Sequence, residues 1–180
     1  MVEFRFRTER LVLREWRDAD IRLLDRMNAD PEVMRFIGPA RSHDQNVKSI
    51  RDFQAMQAEF GFTCWAVEFQ PSDELIGHCG FHPGAAGTPV EGEVEIAWRF
   101  VRDAWGKGFA REAAMECLAW AVTNLPSRSI WSKTVPANKR SWRLMRRIGM
   151  QYQSGSDFDH PALAAGDPLR RHVLYRIDPG

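Results

Sequence analysis

From Phe62 to Val135 the sequence reads as three strands in a row, then a glycine-containing loop, a helix and a fourth strand. Few sheets accommodate that order. The strand candidates are Phe62 to Phe69, Leu75 to Phe81 and Gly92 to Val101, rich in β-branched and aromatic residues and separated by Pro71-Ser72-Asp73 and by the Gly/Ala/Pro loop Pro83 to Pro89. Such short connections imply antiparallel neighbours. The helix from Gly108 to about Thr123 and the strand Ser129 to Val135 then complete a crossover, so the strands at Glu93 and Val135 run parallel. A mixed α/β sheet follows.

The flanking segments extend it. Thr8 to Arg14 reads as a first strand, and Asp18 as the N-cap of a helix with Ile21, Leu23, Leu24 and Met27 at helical spacing. A second helix from about Gln45 to Phe60 carries Val47, Ile50, Phe53, Met56 and Phe60 on one face and stops at Gly61. In the crossover helix Ala110, Ala113, Ala114, Cys117, Leu118, Ala121 and Val122 point inward, and Pro126 closes it. Asn138 starts a short helix that ends at Gly149, and strands near Met150 to Ser154 and Arg171 to Ile177 follow. The predicted order over residues 1–180 is β-α-α-β-β-β-α-β-α-β-β, in a single domain.

The loop Trp105-Gly106-Lys107-Gly108-Phe109-Ala110 lies between a strand and a helix. Two glycines two apart let the backbone bend and approach a ligand closely. The helix begins at once, so its free N–H groups and the positive end of its dipole suit a phosphate. Gly108 stands where a P-loop needs a hydroxyl for magnesium, and Arg111 where a dinucleotide fingerprint needs its third glycine. A plain turn is the remaining reading of the two glycines alone.

More of the chain resolves that choice. Glu95-Ile96-Ala97-Trp98-Arg99-Phe100-Val101, followed by Trp105 to Ala113, resembles the acetyl-CoA motif of the GNAT superfamily of N-acetyltransferases, and within it the RimJ/RimL branch. Val135-Pro136-Ala137-Asn138-Lys139-Arg140-Ser141 and Arg147-Ile148-Gly149-Met150 resemble that branch's Asn-x-x-Ser helix and its ending; Thr8 to Arg14 resembles its first strand. Asp103 departs from the usual Gln or Arg three residues before the first loop glycine, and Ala97-Trp98 from the usual Gly-Tyr.

The resemblance implies an enzyme that transfers the acetyl group of acetyl-CoA to a primary amine by direct attack in a ternary complex, with a central parallel strand pair that splays. Phe100 and Val101 would hold the pantetheine arm, and Gly106, Lys107, Gly108, Phe109 and Ala110 the pyrophosphate; Asn138 and Arg143 would also contact the cofactor. Glu95 would be the general base, with Glu93, Glu91 or a water relay as alternatives and a salt-bridged strand residue as the bland reading. Ser141 would donate to the leaving sulfur. Trp65, Trp98 and His160, in the loop Phe158-Asp159-His160-Pro161, would line the acceptor pocket. A protein N-terminal α-amine and a small-molecule amine both fit. Attack needs a neutral amine, and a lysine-like amine near pKa 10.4 needs about 3–4 kcal/mol more deprotonation work at pH 7 than an α-amine near 8.

Composition adds limits. Net charge is +1, yet no Asp or Glu occurs from Cys117 to Ser156, where seven cations stand: Arg128, Lys133, Lys139, Arg140, Arg143, Arg146 and Arg147. Such a cluster favours a multiply charged anion. A CoA 3′-phosphate accounts for it more simply than nucleic acid, although an RNA-associated protein and a non-catalytic acyl-CoA-binding module are the competing functions. Cys64, Cys79 and Cys117 are distant from one another and form no metal or disulfide pattern; no metal is expected. No apolar run is long enough for a membrane span, and Met1-Val2-Glu3-Phe4-Arg5 lacks a signal peptide's apolar core, so the cytoplasm is the expected compartment. The oligomeric state stays open, a homodimer included.

Overall fold

A computed structural model of the chain describes residues 5–125 and 128–178. Nine strands make one mixed sheet in the order β1-β2-β3-β4-β5-β6-β9-β7, with β8 paired to β9. The strands are β1 (Arg5–Arg7), β2 (Leu11–Arg14), β3 (Cys64–Phe69), β4 (Glu74–Pro83), β5 (Val94–Phe100), β6 (Ile130–Thr134), β7 (Gln151–Tyr152), β8 (Phe158–Asp159) and β9 (Arg171–Ile177). The helices are α1 (Ile21–Ala29), α2 (Pro31–Met34), α3 (His43–Phe60), α4 (Phe109–Asn124) and α5 (Lys139–Arg147).

The expected strand order is present, including the parallel β5–β6 pair. Four elements differ from expectation: one is β8, which lies in the expected loop Phe158 to Pro161 and pairs Phe158 with His172 of β9. The first strand is a hairpin, because Thr8 turns the chain: its N–H bonds back to the Leu11 carbonyl at 2.9 Å, and β1 folds onto β2. A short α2 follows Asp30, whose carboxylate caps Glu32 N–H while Pro31 occupies the first turn. Asp18 opens a 3-10 turn and caps no helix through its side chain. Pro126 lies outside the described residues, as does Met1 to Phe4.

α3 starts at a reciprocal capping box between Ser42 and Gln45 and ends on left-handed Gly61 at φ 74°. Of its expected apolar face, Ile50 is buried, while Phe60 is 45% exposed past the sheet edge. α4 buries Ala113, Ala114, Cys117, Leu118 and Ala121 as expected, but Val122 faces out.

The sheet therefore has two differently furnished faces. On one, α4 packs over Trp65, Cys79 and Phe81, with Trp120 5.1 Å from Trp65 and Cys117 Sγ 3.8 Å from Cys79 Sγ. On the other, α1 packs over β4, and Phe53 of α3 lies 5.5 Å from His78 of the same strand. No described helix is long and apolar enough to cross a membrane.

Candidate active site

β5 and β6 pair only at Val94–Ile130 and Glu95–Trp131, near the starts of both strands. Beyond that they separate and are bridged by side chains: the Ser132 hydroxyl donates to the Ile96 carbonyl at 3.0 Å, and Lys133 ion-pairs with Glu95. The bonds Gly84 N–H to Glu93 O and Val101 N–H to Ile76 O fix which β5 residues hydrogen-bond β4. In an antiparallel ladder these alternate. Ile96, Trp98 and Phe100 accordingly turn their N–H and C=O groups away from β4, into the opening. Trp105 indole closes its far end by donating to the Phe100 carbonyl at 2.9 Å.

The loop after β5 lies at this opening. Gly106 and Gly108 hold φ of 75° and 83°, where side chains are strained. A Cβ at Gly106 would meet nothing within 4 Å, so the space above the loop is open. Gly108 precedes α4 without any side-chain cap, leaving the first-turn N–H groups to the loop. Arg10 braces the loop from behind: it donates to the Lys107 carbonyl at 3.2 Å, pairs with Glu112 at 2.6 Å and stacks on Phe109 at 4.7 Å. Those bonds, with that from the Thr8 hydroxyl, hold the Glu112 carboxyl below its usual range against the opposing effect of burial. Ala110, half-buried, sits in the first turn of α4.

α5 flanks the same opening. Its Arg140 lies 4.5 Å over the Trp105 ring, and Arg143, Arg146 and Arg147 line a shallow surface cleft. Among the described residues no carboxylate pairs with any cation of α5. Asn138 is its N-cap, accepting from Ser141 N–H at 3.3 Å and donating to Thr134 at 3.1 Å. The half-buried Ser141 is thereby fixed in the first turn, next to the end of β6.

Glu95 sits on the sheet face opposite α4. It is 2% exposed and ion-paired to Lys133, whose side chain is 14% exposed. The bland reading of a salt-bridged strand residue is thus met, without removing Glu95 from the opening. Glu91 accepts from Gly87 N–H at 2.8 Å and is exposed, as is Glu93, which precedes the strand. His160 belongs to a ring cluster with Phe158 and His172, and its centroid is 5.4 Å from that of His172. His172 shares its face with Lys133, since Lys133 lies opposite Leu174 across β6–β9. Burial, and less strongly Lys133, lowers both histidines' pKa; the Arg170 carbonyl and Glu95 partly oppose this at His172.

Two of the expected acceptor residues are not brought here. Trp98 lies opposite Cys79 and Trp65 opposite Cys79 from the other side, so both belong to the α4 face. Trp65 is fully buried and donates to Gln57 at 2.9 Å. Strand alternation already separates Trp98 from Glu95, three residues apart, so this was readable. Lys133 and His172 were not singled out as site residues; their place on the Glu95 face comes only from the pairing of β6 with β5 and β9. All three cysteines are buried thiols, with burial pushing Cys64 and Cys117 up. Among the described residues no cluster suits a metal.

Known proteins share this arrangement. Residues 10–151 match the family described as acetyltransferase (GNAT) domain. The chain is 31% identical over 146 residues to p20 of Bacillus licheniformis, described as an uncharacterized N-acetyltransferase, with 80% of each chain covered. The acetyltransferase from Agrobacterium tumefaciens superposes with a TM-score of 0.78 at 26% identity, covering 97% of this chain and 94% of that one. RimL, the ribosomal L7/L12 α-N-protein acetyltransferase, superposes at 0.77 with 99% and 96% covered, but at 13% identity, which shows the shared fold alone. The splayed strand pair, the glycine loop that opens α4 and these matches together make the chain a member of the GNAT family of N-acetyltransferases.

Proposed function

We infer that the protein transfers the acetyl group of acetyl-CoA to a primary amine by direct attack, with both substrates bound at once. The observation that carries this is the continuity of two unpaired backbone surfaces. The open edge of β5 at Trp98 and Phe100 leads to the free N–H groups at the start of α4. The first suits an extended amide-bearing arm and the second a pyrophosphate. Phe100, Val101 and the loop Gly106 to Ala110 hold those parts. Arg143, with Arg146 and Arg147, meets the remaining phosphate, and Asn138 fixes the helix that carries them.

An N–H on the β5 edge polarises the thioester carbonyl, and such preorganised donors stabilise the charge that develops there. The amine approaches from the Glu95 face. Lys133 occupies Glu95 Oε2, which leaves Oε1 to take the proton directly or through water. Ser141 donates to the departing sulfur. His160 lines the acceptor side.

A second reading of the base rests on a specific bond. His172 Nδ1 lies 3.1 Å from the Arg170 carbonyl, an acceptor only, so Nδ1 carries the hydrogen and Nε2 keeps its lone pair. A neutral imidazole on the Glu95 face can accept the proton without breaking an ion pair. Comparing Glu95→Gln with His172→Gln decides between them: the base's loss lowers kcat by about 10²–10⁴ and shrinks as pH rises toward the amine's own pKa. A loss that stays flat with pH marks a residue that only positions substrate.

The acetyl-CoA assignment has its own test. Acetyl-CoA should raise Tm by ligand linkage, whereas ATP and NAD should not. Equal stabilisation by ATP would refute the loop's role.

A further inference from the structure

Four residues past Glu95 on the same face of β5 stands a cation without a counter-ion. Arg99 donates from Nη1 to Asn28 Oδ1 at 2.7 Å. Its Nε is buried and has no hydrogen-bond partner, and no described carboxylate pairs with the guanidinium. Burial first and then the neighbouring Arg41 lower its pKa to about 10, so it stays charged at neutral pH. The side chain as a whole is only half-buried. A charged donor set in this condition is costly unless something binds it.

The geometry says which edge is free. Asn28 takes Nη1, and no hydrogen bond runs from Nη2 among the described residues. On that edge Nη2 is the donor left open, since Nε is unpartnered but exposes no surface to a ligand. The Asn28 amide cannot turn to cover that edge, because its Nδ2 donates to Asn46 Oδ1 at 2.7 Å and Asn46 in turn donates to Asp25 at 2.8 Å. Asn28 and Asn46 are both fully buried. Two locked amides thus orient Arg99 while keeping the nearest acid, Asp25, away from it.

Arg99 shares its face of β5 with Glu95. Ala97, half-buried with a single methyl, separates it from Glu95 on that face. At ~3.3 Å per residue, Glu95 and Arg99 are about 13 Å apart along the strand. Trp98, whose N–H faces the opening, lies between them.

Taking the acetyltransferase reading above as given, we propose that the acceptor is an amine that also carries a carboxylate, which the unpaired Nη2 of Arg99 binds while the amine reaches the opening between β5 and β6. The class is that of amino acids, not of unsubstituted alkylamines or polyamines. Arg41, unpaired with any described carboxylate and beside Arg99, adds to the attraction. His78, across the ladder from Arg99, is fully buried and neutral, and does not compete for the anion.

The test uses the full chain with acetyl-CoA and a matched series: glycine, β-alanine, γ-aminobutyrate and δ-aminovalerate against alkylamines of equal chain length. For at least one length, kcat/KM should favour the amino carboxylate by at least ~10-fold, the worth of one charge-assisted hydrogen bond. Arg99→Gln should erase that ratio and Arg99→Lys restore part of it, both variants still gaining Tm from acetyl-CoA. Thermal stabilisation of the CoA-loaded protein by the same compounds reads binding without turnover, and should vanish in Arg99→Gln. Equal rates for the alkylamines, a ratio that survives Arg99→Gln, or absence of carboxylate-dependent stabilisation would each overturn the proposal. So would a preference for O-phosphoethanolamine over every carboxylate. Should acetyl-CoA itself fail to bind, the acetyltransferase reading falls, while carboxylate stabilisation lost in Arg99→Gln would still stand for the anion site.

Discussion

Glu95 and Lys133 are both removed from water, at 2% and 14% side-chain exposure, and each is the other's partner. Replacing Glu95 by Gln keeps the shape but leaves an ammonium without a counter-charge, a change that typically costs about 3–5 kcal/mol. In a chain of this length each kcal/mol moves Tm by roughly 2–4 °C. Glu95→Gln should therefore melt about 6–20 °C below the wild type. Lys133→Met in the Glu95→Gln background removes the orphaned charge and should recover more than half of the loss, a strongly non-additive cycle. Thermal melts of the four proteins check this. A Glu95→Gln protein within ~0.5 kcal/mol of the wild type, or a double variant no better than the single one, would refute the buried pair. The melts also tell how much of any activity loss in Glu95→Gln is lost fold.

Gly106→Ala should cost only ~1–2 kcal/mol of stability, since φ is 75° but the new methyl meets nothing; acetyl-CoA affinity, from calorimetry, should fall at least tenfold as the loop N–H groups shift, and unchanged affinity would refute backbone binding. Lys107→Ala should weaken acetyl-CoA by no more than a few-fold, because it is the Lys107 carbonyl that the fold uses. Burial, followed by Arg99, Arg41 and His82, holds His78 well below the usual histidine value, so the unfolded chain binds a proton there that the native one refuses. Its contribution is present above ~6.5 and lost as pH falls below it, at up to ~1.4 kcal/mol per unit; denaturant melts of His78→Phe from pH 7 to 5 should be flatter by that slope. Ser141→Ala should lower kcat about tenfold with acetyl-CoA affinity unchanged, and normal turnover in steady-state assays would remove its role as donor to the sulfur.

Much of this was legible from local pattern. The helix stops at Gly61 and Gly149, the apolar stripe of α4 and the parallel crossover all follow from near neighbours in sequence. The hairpin at Thr8 was missed because Arg5-Phe6-Arg7 and Leu11 to Arg14 look continuous to a period-two reading. The helix α2 was missed although Asp30-Pro31-Glu32 spells its cap. Val122 was assigned inward by spacing alone, but it lies off the buried stripe: Ala121 beside it is fully buried and Leu125 still packs on the core, while Val122 is exposed. The site was less legible than the fold. Glu95 and Lys133 are 38 positions apart, and Arg99 is isolated only because Asn28 and Asn46 occupy each other; neither fact leaves a periodic trace.

The meagre pairing of β5 with β6 has a mechanical meaning. Five strands, β1 to β5, form one panel, and β6, β9, β7 and β8 form another; two residue pairs, the Ser132–Ile96 bond, the Glu95–Lys133 ion pair and the span of α4 join them. Such a body is built like a hinged book whose spine is near Glu95. A substrate filling the gap adds rungs that the chain itself lacks, so it should bind the covers together rather than merely occupy space. Hydrogen exchange would show this as slowed opening in both panels at once, with amides of β9 protected although they lie a strand away from the gap. The two panels would then exchange as one cooperative unit when loaded and as two when empty.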